Sequence, residues 1–285
     1  MIARLLVIAG SDSSGGAGIQ ADLKTAQAFG VYAQTAITAV TVQDTKDVTA
    51  VHPVPAEIVA GQIKMALNDI GADVIKIGML GNGAIAAAVA DALDGSSIPL
   101  VLDTVLLSSS GTPLLDAEGI DILKQRLMRR AALVTPNLPE AEVLTGIYPK
   151  SEHRLRNAAM VFKMLGVDHV LFKGGHAFDP LRPSHLSGAT ATSPTSASRA
   201  GEGEGDVVRD VLWSGGEFLP FEAPRQQTPH LHGTGCTLAT AIACGLAQKL
   251  PLQDAVARAH AYVQEAIRTA PGLGQGAGPL NHLIT

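Results

Sequence analysis

Apolar residues in this chain fall in short unbroken runs, separated by longer stretches with helical spacing. Arg4-Leu5-Leu6-Val7-Ile8-Ala9 shows no polar alternation, so it predicts a strand buried on both faces. Residues 19–29 follow with helical spacing, and Gly30 ends them. A stretch rich in Thr, Val and Ile over 33–42 predicts a second strand. Pro55 opens a helix running to about 68. The same alternation then repeats. Strands are predicted over 73–77, 99–103, 132–135 and 169–172, with helices over 84–93, 117–129, 138–144 and 152–165. Residues 206–213 and 217–221 predict a hairpin around Ser214, Gly215 and Gly216. Helices over 233–248 and 252–269 close the chain. Strands alternating with helices predict a mainly parallel sheet covered on both faces.

Polar and glycine-rich residues gather just after the predicted strand ends: residues 10–18, Gly78, Asp103, residues 135–140 and residues 173–176. In open α/β sheets that edge binds ligands, so one cleft is expected there. The chain shows no internal repeat and no domain boundary, and all 285 residues are read as a single domain. Residues 179–206 break the pattern with Ser, Thr, Ala, Pro and Gly. They can bury little apolar surface and are expected to form a mobile loop, either a lid or a dispensable insertion.

Composition narrows the class. Hydrophobic residues make up 46% and charged residues 16%, enough for a large core. Net charge is −5 with no basic run and few aromatics, which speaks against nucleic acid. Cys236 and Cys244 share one predicted helix, a spacing that suits neither a disulfide framework nor a zinc site. The first apolar run is too short for a signal peptide or a membrane span, so a cytoplasmic protein without a membrane partner is expected.

Pro229-His230-Leu231-His232-Gly233-Thr234-Gly235-Cys236-Thr237 reads as a loop turning into a helix start. Backbone N–H groups there can approach an anion, and the helix dipole favours it. Such a stretch also serves as a plain glycine-rich helix start. Gly16, Gly18 and Ala21 fit a dinucleotide fingerprint, but the first lies too far beyond the predicted strand, and a Walker A sequence is missing. Asp22 can accept bonds from a hydroxyl or amine, or be an ordinary helix carboxylate. Gln43 offers a donor and an acceptor side by side, matching an amino group beside a ring nitrogen. Met79 can wall a flat ring or fill core. Asn137 and Glu140, three apart at a helix start, can hold water around Mg²⁺ or simply cap the helix. Lys173 at a strand end can neutralise phosphate. At its helix N-terminus the Cys236 thiol is expected to have a lowered pKa. It can act as base, as nucleophile or as a contact.

Six motifs in order then carry a resemblance. Residues 10–25 begin Gly10-Ser11-Asp12-Ser13-Ser14-Gly15-Gly16-Ala17-Gly18. After them come Lys76-Ile77-Gly78-Met79-Leu80, Val101-Leu102-Asp103-Thr104-Val105, Thr135-Pro136-Asn137-Leu138-Pro139-Glu140-Ala141, Lys173-Gly174-Gly175-His176 and His232-Gly233-Thr234-Gly235-Cys236-Thr237-Leu238. Together they resemble the hydroxymethylpyrimidine/phosphomethylpyrimidine kinases of thiamine biosynthesis, within the ribokinase-like superfamily. The resemblance implies a ribokinase-like three-layer α/β/α sandwich with a mainly parallel central sheet. It implies a kinase using ATP and Mg²⁺ to phosphorylate 4-amino-5-hydroxymethyl-2-methylpyrimidine and then its monophosphate. Gly10, Asp22, Gln43, Met79 and Val105 would contact the pyrimidine. Asp103, Asn137, Glu140 and Lys173 would serve ATP and Mg²⁺, with Glu140 reaching the metal through water. Gly233, Thr234, Gly235 and Cys236 would form the anion hole, and Cys236 stands where related sugar kinases place an aspartate base. A homodimer is implied as well. A pyridoxal kinase of the same superfamily, or a pyrimidine-binding module without catalysis, are the alternatives. The 179–206 loop is longer than the family pattern.

Overall fold

The structure, a computed structural model, describes residues 1–107, 113–174 and 207–284. The first element, β1 (Arg4–Ser11), is followed by α1 (Gly18–Ala28), β2 (Tyr32–Gln43) and β3 (Val48–Pro53). Next come α2 (Ala56–Asn68), β4 (Val74–Ile77), α3 (Gly83–Ala92) and β5 (Leu100–Leu102). The chain continues through α4 (Ala117–Ile122), β6 (Leu133–Val134), α5 (Leu138–Thr145), α6 (Glu152–Met164) and β7 (His169–Lys173). It ends with β8 (Val207–Ser214), β9 (Glu217–Pro224), α7 (Thr234–Ala247) and α8 (Leu252–Arg268).

The strands make one nine-stranded sheet in the order β3-β2-β1-β4-β5-β6-β7-β8-β9. From β2 to β7 neighbours run parallel, while β3, β8 and β9 pair antiparallel at the two edges. Strand alternation divides the core in two. Leu6, Ile8, Ile75, Ile77, Leu100 and Leu102 face α2, α3, α5 and α6. Leu5, Val7, Ala9, Val74 and Val101 face α1, α7 and α8. Both faces are therefore covered, and the central strands read as continuous apolar runs for that reason. Small residues allow the close packing of α7. Ala239, Ala241, Ala243 and Cys244 are all buried there.

Two local expectations are corrected. Strand β3 was not anticipated, because five of its six residues are exposed and leave no buried alternation. The single helix expected over 117–129 is α only to Ile122, then a π turn Leu123–Leu127 and a 3₁₀ turn Met128–Arg130. The wider turn lets Leu127 and Met128 both reach the core. The hairpin is present as β8 and β9. The loop reading for 179–206, its lid or insertion alternatives included, lies outside the described residues, as do Gly175 and His176.

The topology sets where a ligand goes. From β1 the chain moves outward to β2 and β3, then returns to place β4 on the other side of β1. That reversal opens a crevice beyond the C-terminal ends of β1 and β4. All parallel strands end on this same edge, so residues distant in sequence converge there.

Candidate active site

A cavity of about 300 Å³ lies at this crevice, roofed by the start of α7. Gly10 from β1, Gln43 from the end of β2, Met79 after β4 and Val105 after β5 all line it. A side chain on Gly10 would press on Met79 Sδ at 3.2 Å, so glycine there admits the methionine wall. Gln43 is pinned at the backbone. Its N–H donates to Ser13 Oγ at 2.8 Å, and Ser13 Oγ donates back to its carbonyl at 2.7 Å. Met79, Val105 and Leu107 give apolar walls, and Gln43 a polar edge, the layout of a site for a small flat heterocycle.

A second cavity of about 350 Å³ lies between β8 and the α7–α8 pair. Val208, Leu238, Val263 and Ile267 make its apolar walls. Arg225 Nε and His260 Nε2 are buried in it without hydrogen-bond partners among the described residues. Burial pulls His260 below the ordinary histidine range, with the Asp210 carboxylate opposing. Asn137, Lys173, Leu231, Thr234 and Gly235 line both cavities, so the two meet at the first turn of α7.

That first turn is built for close approach. Gly233 is the N-cap at φ 84° with no side-chain cap. Any Cβ on it would sit 1.9 Å from the Gly16 carbonyl oxygen, so only glycine fits. The N–H groups of a helix's first turn have no intrahelical acceptor, and here they face the junction of the cavities. A Cβ on Gly235 would meet Lys173 Nζ at 3.4 Å, which leaves a cradle between lysine and helix.

Lys173, at the end of β7, donates to Asp103 Oδ1 at 2.7 Å and lies 4.0 Å from Glu140 Oε2. Burial pulls its ammonium down, but Asp103 and Glu140 outweigh that and raise it, so it stays charged. Asp103 also accepts from Thr135 Oγ1 at 3.0 Å, and burial is overcome by the two lysines that hold its carboxyl below the usual range. Asn137 and Glu140 form a reciprocal capping box on α5, each side chain accepting the other's backbone N–H at 2.8 Å. The capping and site-lining readings of this pair therefore hold together. Burial raises the Glu140 carboxyl despite Lys173.

Two expectations about the site are corrected. Asp22 does not reach the cavity. Its carboxylate is fully buried, takes Lys76 Nζ at 2.9 Å on both oxygens, and accepts from Thr240 Oγ1 at 2.6 Å. A charged residue inside an otherwise apolar β4 needs such a partner, and Lys76 was the sequence signal for it. The Cys236 thiol is raised, not lowered. Burial pushes it up to about 11, with Lys76 and the Gly18 N–H opposing and the Asp22 and Asp103 carboxylates adding to the rise. Loss of water outweighs the helix terminus. Two lining residues were not singled out from sequence, Asp12 and His232. They sit 220 positions apart, with His232 Nε2 2.8 Å from Asp12 Oδ2.

Among the described residues no group of three or more His, Cys, Asp or Glu side chains could hold a metal ion, and no helix is long and apolar enough to cross a membrane.

Two solved structures with this architecture are kinases. The pyridoxal kinase of Staphylococcus aureus, in complex with AMP-PCP and pyridoxal, superposes with a TM-score of 0.82 at 31% identity, covering 99% of this chain and 94% of that one. The phosphomethylpyrimidine kinase of Clostridium difficile 630 superposes with a TM-score of 0.73 at 35% identity, covering 94% and 100%. The molecule is thus a kinase of the ribokinase-like fold. Sequence gives the narrower group. The chain matches the phosphomethylpyrimidine kinase family over residues 12–281 and belongs to that family. The hydroxymethylpyrimidine/phosphomethylpyrimidine kinase of Haemophilus influenzae is 40% identical over 283 residues, 99% of this chain and 97% of that protein. The thiamine biosynthesis bifunctional protein ThiED of Geobacter sulfurreducens is 42% identical over 281 residues. This chain spans about half the length of that relative, 52%.

Proposed function

We propose that this kinase transfers the terminal phosphoryl group of ATP to the hydroxymethyl group of 4-amino-5-hydroxymethyl-2-methylpyrimidine, and then to the resulting monophosphate, in thiamine biosynthesis. One observation carries the reading. Two cavities, one sized for a small heterocycle and one with apolar walls and polar groups unpartnered among the described residues, meet at a bare helix start beside a charged lysine. Phosphoryl transfer needs positioning and charge neutralisation more than covalent help from the protein.

In this reading Gln43 holds the amino group and ring nitrogen of the pyrimidine, while Gly10, Met79 and Val105 enclose the ring. The hydroxymethyl group points to Cys236. Lys173 neutralises phosphate oxygens, and the N–H groups of Gly235 and Cys236 receive the transferred group, with Gly233 and Thr234 shaping the turn. The Cys236 thiolate takes the hydroxyl proton as the oxygen bonds to the terminal phosphorus of ATP and the bond from that phosphorus to ADP breaks, so that ADP leaves. Asp22 and Lys76 act from below, as buried charges near the thiol.

The second cavity fits ATP, whose base would meet Arg225 and His260. Among the described residues every hydrogen bond to the Glu140 side chain falls on Oε2, which leaves Oε1 for water around Mg²⁺. With Asn137 and Asp103 nearby, a water-mediated site fits better than a protein cage. Bound Mg²⁺ would neutralise phosphate charge. A homodimer and a cytoplasmic location are carried over from the family. The exposed Val40 and Val42 on β2 are apolar surface that a second copy would cover, and sedimentation of the purified protein tests it.

The pyridoxal kinases align over nearly the whole fold, so pyridoxal is the competing substrate. A MgATP assay with the hydroxymethylpyrimidine, its monophosphate and pyridoxal in parallel decides. We expect turnover of both pyrimidines, with kcat/KM for pyridoxal lower. Turnover of pyridoxal alone would reverse the assignment.

A further inference from the structure

Gln43 presents an amide, and the two ends of an amide differ only in which one donates, so neighbouring groups decide its sense. Its oxygen stands 3.3 Å from Thr41 Oγ1, and its nitrogen 3.2 Å from His232 Nε2. Thr41 Oγ1 also donates to the Ser11 carbonyl at 2.8 Å. One hydroxyl carries one hydrogen, so Thr41 is left with lone pairs for Gln43. On the other side His232 Nε2 lies 2.8 Å from Asp12 Oδ2. That oxygen also accepts from the Ala17 N–H at 2.7 Å and from Ser14 Oγ at 2.9 Å. Burial of Asp12 is overcome by these donors and its carboxyl is lowered to about 2. A carboxylate only accepts, so the ring nitrogen facing it carries a hydrogen and has no lone pair for an amide NH₂. As it stands, the amide sets donor against donor at His232 and acceptor against acceptor at Thr41. Half a turn about its last bond removes both clashes: the amide NH₂ then donates to Thr41 Oγ1, and the amide oxygen shares the single Nε2 hydrogen of His232 with Asp12 Oδ2.

The imidazole has little freedom to adapt instead. A Cβ on Gly16 would come within 2.7 Å of His232 Cδ2 and 3.1 Å of Pro279 Cβ, so the ring lies in a slot that glycine leaves open. The His232 N–H donates to the Gly278 carbonyl at 3.2 Å.

We propose that His232, clamped by Asp12, fixes the sense of the Gln43 amide with Oε1 toward His232 and Nε2 toward Thr41. His232 is then a positioning residue that sets substrate specificity, and this rests on the aminopyrimidine reading of the cavity. The amide accepts on the His232 side and donates on the Thr41 side. A ring is held when its amino group lies toward His232 and its ring nitrogen toward Thr41. A ring with a carbonyl oxygen in place of the amine meets acceptor with acceptor.

Two measurements test it. In ¹⁵N-histidine-labelled wild-type protein, His232 Nε2 shows a one-bond proton coupling. A bare Nε2 overturns the clamp. In steady-state kinetics His232→Leu raises KM for the aminopyrimidine tenfold or more and changes kcat less than threefold. KM for pyridoxal, which lacks an amino group beside a ring nitrogen, moves less than threefold. His232→Gln, which can donate to Asp12 and to the Gln43 oxygen, restores KM to within threefold. Equal losses on both substrates, or a fall in kcat at constant KM, overturn the proposal in favour of a general structural role. If the wild type leaves the aminopyrimidine untouched, the functional reading fails, and the Nε2 coupling alone decides the clamp.

Discussion

At Cys236 a helix terminus and partial burial at the cavity wall pull one thiol in opposite directions, and loss of water wins, at about 11. If the thiolate is the base, only a small fraction is ready at neutral pH. We therefore expect kcat to rise with pH from 7 to 10, approaching tenfold per unit, and Cys236→Ala to lose about 10²-fold and the slope with it. A flat profile would reduce the thiol to a contact. The two glycines beside it predict opposite phenotypes. Gly233→Ala forces a side chain onto φ 84° and into the Gly16 carbonyl, so we expect a loss of about 1–3 kcal/mol in denaturant unfolding. Gly235→Val keeps the fold but fills the cradle beside Lys173, and should abolish turnover at an unchanged unfolding midpoint. The sequence showed Gln43, Met79, Asn137, Glu140 and Lys173 because each lies at or just beyond a strand end, and strand ends are readable. Asp22 misled because position along a helix does not say which side faces the cavity. Asp12 and His232 were missed since nothing local marks a pair that the fold alone brings together.

Among the elements, β4, α1 and α7 are tied by one ion pair with no solvent exposure, Lys76 with Asp22, and by Thr240. Removing one partner leaves a buried charge, which costs about 3–5 kcal/mol. Lys76→Met should lower stability by about that amount in urea titration, and adding Asp22→Leu should recover most of it. No recovery would mean that packing, not charge, sets the loss. The central strands were legible because burial on both faces leaves continuous apolar runs. Strand β3 was not, since it is held by pairing to β2 and shows almost no buried face. The helix expected over 117–129 was right in place but not in kind, because three-residue spacing does not reveal a π turn.

For the whole molecule, the sheet order and the meeting of two cavities were beyond the sequence, which gives elements but not their neighbours. The final segment is fastened to the fold through a histidine. His282 packs against α7 with Nε2 2.9 Å from Thr237 Oγ1. Burial and Lys24 lower it from 6.5 to about 4. The unfolded chain therefore binds this proton first, so its contribution is complete above pH about 6.5 and is lost as pH falls to about 4, roughly 3 kcal/mol in all. Asp12 adds a second loss between about 4 and 2, because its folded carboxyl is the stronger acid. Unfolding midpoints measured from pH 7 to 4 should fall, and His282→Gln should flatten that limb.

The wall common to both cavities has a consequence for traffic. Asn137, Lys173, Thr234 and Gly235 belong to both, so in the proposed reaction acceptor and phosphate donor meet over the same few residues. If the proposed reading holds, a monophosphate that has just been made keeps its new phosphate where the next ATP must deliver. It has to back away before it can serve as acceptor. The intermediate should then queue against the nucleotide, inhibiting the first transfer competitively with ATP and not with the pyrimidine alcohol alone, and progress curves at low ATP should show it accumulating before the diphosphate appears.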